Sequence, residues 1–141
     1  GLIVHPFNTM PFLEEQALPA VTLGLDKANR SRDDFIMQIN AIVITGETDA
    51  EYKAAEDSVK SLLGFYSSTP AYKPPMDSVG YGDLQPRLNA LAKEGKWDEL
   101  ATYIDDDFID AFTTRGKPDE IAGKVKAKYG KHADRLSIYA P

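Results

Sequence analysis

Cysteine is absent from the 141 residues, and histidine occurs only at His5 and His132. The first absence excludes disulfides, thiolate metal sites and cysteine nucleophiles, and it suits a reducing cytoplasm. The second excludes a histidine-rich metal centre, so no metal site is expected. Clustered positive charge is also missing: 16 Lys and Arg stand against 22 Asp and Glu, a net charge of −6. Such a field repels phosphate backbones and anionic lipid, so neither nucleic acid nor a membrane surface is an expected partner. No apolar run approaches the roughly 20 residues that span a bilayer. A soluble, cytoplasmic protein is the expectation. What remains is an ordinary globular composition, 43% hydrophobic and 27% charged, at a length that suits one domain over residues 1–141.

The chain begins at once with an apolar, branched run, Leu2 to His5, bounded by Pro6. This is the pattern of a buried parallel strand. Pro6 and Pro11 keep the intervening residues out of the helical region, so Pro6 to Met10 reads as a loop. Pro11 then suits a first helical turn capped by Thr9 or Met10. Leu13, Ala17, Val21 and Leu25 follow as one apolar stripe, and the helix runs to about Ala28. Phe35 to Thr45 is rich in β-branched residues and reads as a second strand. Thr48 and Glu51 form a capping box that opens a helix reaching about Tyr66.

Residues 67–114 form a helical insertion in this reading. Pro70, Pro74, Pro75, Gly80 and Gly82 interrupt its beginning, although Ala71 to Val79 can hold a short helix. Short helices then follow at Asp83 to Lys93, Trp97 to Ile104 and Asp106 to Phe112. Pro118 starts the last helix, with acids in its first turn to suit the helix dipole, and Arg135 to Ala140 is a closing strand. The order β-α-β-α-(helical insertion)-α-β implies right-handed crossovers and about three parallel strands. Three strands are too few to cover such a sheet's edges and faces.

Five segments, in this order, carry a resemblance: Gly1-Leu2-Ile3-Val4-His5-Pro6-Phe7, Thr45-Gly46-Glu47-Thr48, Phe65-Tyr66-Ser67-Ser68-Thr69-Pro70-Ala71-Tyr72, Gly95-Lys96-Trp97-Asp98-Glu99-Leu100 and Gly116-Lys117-Pro118-Asp119-Glu120. Together they resemble the C-terminal part of luciferase-like monooxygenases, especially the branch that uses the deazaflavin F420. The resemblance implies a partial (β/α)8 TIM barrel of class α/β, the last three strands of an oxidoreductase that binds F420 or FMN and acts on a small-molecule substrate. It further implies that most cofactor-contacting residues lie upstream of Gly1, so that this chain alone binds no cofactor and is inactive. A stand-alone self-associating α/β module is the rival reading. Both predict a homo-oligomer, formed through exposed sheet edges.

In a barrel, the loops that follow strands face the active site. His5, Asn8 and Thr9 are therefore candidates to meet substrate or cofactor, against a plain reading as strand end, turn and cap. Gln38 and Asn40 alternate on one face of an apolar strand and need partners if buried, either in the pocket floor or in neighbouring chain. Tyr66 and Tyr72 flank a Ser-Ser-Thr-Pro stretch where a lid or a core plug fits. Asp105-Asp106-Asp107 lacks the alternate spacing of a calcium loop and reads as a helix start. Gly80-Tyr81-Gly82 follows no strand and is no nucleotide fingerprint.

Overall fold

The computed structural model describes residues 1–140. Its centre is strand β2 (Met37–Ile44), flanked by β1 (Leu2–Val4), β3 (Thr113–Arg115) and β4 (Arg135–Tyr139), all parallel to it. Ile39 pairs with both Val4 and Leu136, and Ile42 with both Thr113 and Tyr139. β4 therefore lies along one edge of β2, while β1 and β3 share the other edge end to end. Apart from β3, the strands run in the order β1-β2-β4, each beside its successor, as in the wall of a barrel.

The helices divide between the two faces of this sheet. Helices α1 (Met10–Phe12) and α2 (Leu18–Lys27) return the chain from β1 to β2, and α8 (Pro118–Tyr129) leads into β4. Leu13, Ile121, Val125 and Tyr129 from this side pack on Val4, Met37, Ile39, Ala41 and Val43. Against the opposite face stand α3 (Asp49–Ser67), α4 (Lys73–Asp77) and α7 (Asp106–Phe112). There Ile42 and Ile44 are buried with Phe7, Val59, Leu63, Met76, Phe108 and Phe112. Period-2 alternation along β2 thus feeds two separate cores. Helices α5 (Leu84–Lys93) and α6 (Trp97–Leu100) complete the second layer.

Two differences from the sequence reading have local causes. Between α1 and α2 the helix widens into a π turn over Leu13–Ala17. Pro19, at the second position of α2, has no N–H for the carbonyl of Glu15, and a wider turn removes the ring's clash with that carbonyl. The helical stretch also ends at Phe112, short of residue 114, because Thr113–Arg115 pairs with Ile42–Ile44 as a fourth strand. The capping box is present as read: Glu51 N–H donates to Thr48 Oγ1 (3.2 Å), and the Glu51 carboxylate accepts from Thr48 N–H (3.0 Å).

Polar contacts tie the start of the sheet together. The Asp134 carboxylate accepts from Met37 N–H at 2.7 Å and from Arg32 at 2.9 Å, joining the entrances of β2 and β4. These two contacts, the backbone donor first, hold the Asp134 carboxyl below its usual pKa. Both flanking strands leave apolar residues uncovered, with Ile3 66% and Ile138 53% exposed.

Close packing of α3 on the α6 region supplies a test. A Cβ on Gly64 would lie 2.9 Å from the Leu100 backbone carbon and from Leu100 Cβ. Gly64→Ala is expected to destabilise the protein by about 1–3 kcal/mol through overpacking, measured as a lower urea midpoint at unchanged m-value. An unchanged midpoint would show that α3 can move away without cost.

Candidate functional site

The C-terminal ends of the strands meet the second helical layer in an aromatic cluster. His5 follows β1 directly, and Val4 before it faces the other core, so His5 emerges on the side of Gln38, Asn40 and Ile42. Its ring stacks on Tyr72 at 4.8 Å between centroids and meets the edge of Tyr66 at 5.0 Å. Tyr66 closes the last turn of α3, and Tyr72 ends the 3-10 turn Pro70–Tyr72. Beneath them Phe7 stacks on Phe112 at 4.3 Å, and Phe112 on Phe108 at 4.6 Å. The exposed ring groups therefore rest on a rigid aromatic column.

Hydrogen bonds fix the orientation of His5. The backbone N–H of Phe7 donates to His5 Nδ1 at 3.1 Å, and His5 Nε2 lies 3.2 Å from Tyr72 Oη. Burial lowers the His5 pKa, which favours the neutral ring. The strand register brings in Tyr139, a residue that sequence reading did not single out. β4 pairs Arg135 with Gln38, Ser137 with Asn40 and Tyr139 with Ile42, so these three share the Gln38 face. Burial and then the neighbouring Tyr139 hydroxyl push the Tyr66 phenol above its ordinary pKa. The signal for Tyr139 was present as alternation in Arg135-Leu136-Ser137-Ile138-Tyr139, but only the register shows which partner each residue meets.

The remaining candidates are placed differently. Gln38 and Asn40 are half-buried lower on the same face, where Gln38 Nε2 donates to Asn40 Oδ1 at 3.1 Å. Thr9 caps α1, accepting from Phe12 N–H at 3.2 Å, and its Oγ1 lies 2.7 Å from Ser78 Oγ. Ser78 donates to the Pro75 carbonyl, so Thr9 is the donor of the pair and its hydroxyl is fully engaged in tying the loop to α4. Asn8 is buried, and neither atom of its amide has a partner among the described residues. Asp105 caps α7 through Phe108 N–H at 2.8 Å and accepts from Tyr81 O–H at 2.9 Å. Burial first and Asp105 second raise the Tyr81 pKa to about 12. No group of three or more potential metal-ligating side chains occurs among the described residues, and no described helix is long and apolar enough to cross a membrane.

Sequential parallel strands, helices that return the chain to β2 and β4 along one face, and polar aromatic groups gathered at the strands' C-terminal ends under the helices of the other face define a segment of barrel wall from an α/β fold. The sequence profile of the luciferase-like monooxygenases matches residues 1–135, and the chain belongs to that family. It is 36% identical over 136 residues to Uncharacterized protein Rv1360 of Mycobacterium tuberculosis, an alignment that covers 96% of this chain and 40% of the relative. Uncharacterized protein Mb1395 of Mycobacterium bovis matches to the same extent. A more distant relative is the 5,10-methylenetetrahydromethanopterin reductase of Archaeoglobus fulgidus, 23% identical over 126 residues, which cover 89% of this chain and 37% of the reductase. The chain thus spans about 40% of the length of the nearer of these relatives.

Two expectations follow from the local geometry. Because burial depresses the His5 pKa below the unfolded value near 6.5, the unfolded chain takes up the proton first. The stability that comes from the neutral ring is complete above pH 6.5 and is lost as pH falls from there through the lowered pKa. Urea midpoints of the wild type should fall more steeply over that interval than those of His5→Phe, and parallel slopes would remove His5 from the pH response. Thr9→Val, which loses both the cap and the Ser78 contact, should cost about 1–2 kcal/mol, read from the same titrations at neutral pH.

Proposed function

We propose that this chain is the C-terminal wall of an F420- or FMN-dependent oxidoreductase, and that it presents substrate-facing residues to a cofactor held chiefly by strands upstream of Gly1. The observation that carries the reading is the gathering of His5, Tyr66, Tyr72 and Tyr139 at the strands' C-terminal ends, where barrel enzymes build their sites. Family membership supports an oxidoreductase. A relative named as a reductase favours hydride transfer over oxygen activation. Bound cofactor supplies the redox chemistry, and the protein supplies binding, orientation and electrostatics.

The residues here fit one side of such a site. Aromatic faces at His5 and Tyr72 and the amides of Gln38 and Asn40 suit a planar heterocycle or the substrate lying against it. The four-residue cluster contains no Lys or Arg to hold a cofactor phosphate, in keeping with phosphate donors elsewhere in a longer chain. His5 would be held neutral with its ring plane fixed, while the Phe7, Phe108 and Phe112 column keeps water out from below.

Fluorescence titration with FMN and with F420 tests this division of labour. The 141-residue chain is expected to show no saturation at micromolar cofactor, whereas a protein in which the first strands of the barrel precede it should saturate with one of the two. Micromolar binding by the chain alone would move the cofactor site into these residues. No binding by the longer protein would sink the oxidoreductase reading.

A second reading, a self-associating module without catalysis, draws on the uncovered Ile3, Leu136 and Ile138. Both readings make the isolated chain a homo-oligomer, and sedimentation velocity at micromolar concentration should show a species heavier than 15.5 kDa. A clean monomer would count against both.

A further inference from the structure

The hydrogen bonds of His5 settle where its proton sits. A backbone N–H can only donate, so Phe7 N–H at 3.1 Å makes His5 Nδ1 the acceptor. In a neutral imidazole the single proton is then on Nε2. Nε2–H points to Tyr72 Oη at 3.2 Å, and Tyr72 must accept. A phenol that accepts keeps its own O–H for another acceptor, and no described residue takes it. The Tyr72 ring is meanwhile held by stacking on His5 and by the Tyr66 edge, 5.6 Å away between centroids. One donor, aimed and uncommitted, is left at the mouth of the strands.

We propose that Tyr72 Oη is the hydrogen-bond donor of a binding site for an uncharged planar carbonyl compound, walled by His5, Tyr66 and Tyr139, with His5 as the residue that orients the donor. Aromatic faces select a planar partner, and the free O–H selects an oxygen acceptor. None of the four residues carries a formal charge when His5 is neutral. The chain's net charge of −6 further disfavours anions. The inference rests on the substrate-facing role given to this cluster above, and it names the substrate's chemistry.

Benzamide serves as the probe, since it is neutral, planar and carries a carbonyl acceptor. Long-range proton–nitrogen NMR of the labelled chain, with His132→Gln used to assign the two imidazoles, should show His5 Nδ1 unprotonated and Nε2 protonated at neutral pH. Added benzamide should shift the His5 and Tyr72 signals in a saturable way. Tyr72→Phe, which keeps the ring and the stack, should weaken that binding about tenfold, the effect of losing one hydrogen bond. His5→Phe keeps the stack but leaves the Tyr72 hydroxyl without its orienting donor, and should bind between the other two.

A proton on His5 Nδ1, wild-type affinity in Tyr72→Phe, or no saturable shift would each overturn the proposal. These readouts need no redox cofactor. Failure of benzamide binding therefore leaves the cofactor titrations untouched, and failure of those titrations leaves the Tyr72 donor standing.

Discussion

The structure depends on the unequal use of the two faces of β2. Met37, Ile39, Ala41 and Val43 are apolar throughout and bind the crossover helices as an unbroken row. The other face changes character along its length, from Gln38 and Asn40 to Ile42 and Ile44. Burying the last two draws α3, α4 and α7 over the C-terminal end of the strand and leaves the first two half-buried. At about 25 cal/mol per Å² the covered apolar area dominates the energetics. The polar pair marks where that covering stops. Everything assigned to the site lies along this boundary.

The aromatic cluster follows from the same division. Phe7 belongs to the core under α7, and two residues earlier His5 stands at its rim. The Phe7 amide that fixes the imidazole is thus anchored by the ring stacked on Phe112. Packing energy in the interior is converted into orientation at the surface, which is what a binding site requires of its scaffold.

Local signals were legible in the sequence and pairing-dependent ones were not. The capping box at Thr48 and Glu51 could be read because both partners lie within one turn. The parallel β-α-β order was equally plain, because branched apolar runs alternate with helical stripes. Thr113-Thr114-Arg115 has two β-branched residues but is too short to read as a strand by itself, and it is extended because the edge of β2 beside Ile42–Ile44 is open to it. The stripe of Leu13, Ala17, Val21 and Leu25 reads as one continuous helix and hides the π turn, although Pro19 removes a donor there. Tyr139 needed the register of β4, because period-2 alternation gives two faces without saying which is which. His5 and Tyr66 were read from loop and helix ends, but their contact joins residues 61 positions apart and only folding brings it about.

The sharing of one β2 edge between β1 and β3 has a consequence for how the molecule tolerates change. β1 pairs with Met37–Ile39 and then stops, and β3 takes up the same edge from Ile42 to Ile44. The segment from His5 to Thr9 is thereby released from sheet pairing without leaving the upper edge of β2 bare. That segment answers to side-chain packing, Phe7 on Phe112 and Thr9 on Ser78, and not to a ladder of backbone bonds. The edge is modular: one short strand holds the sheet closed while the chain beside it turns inward to the second core.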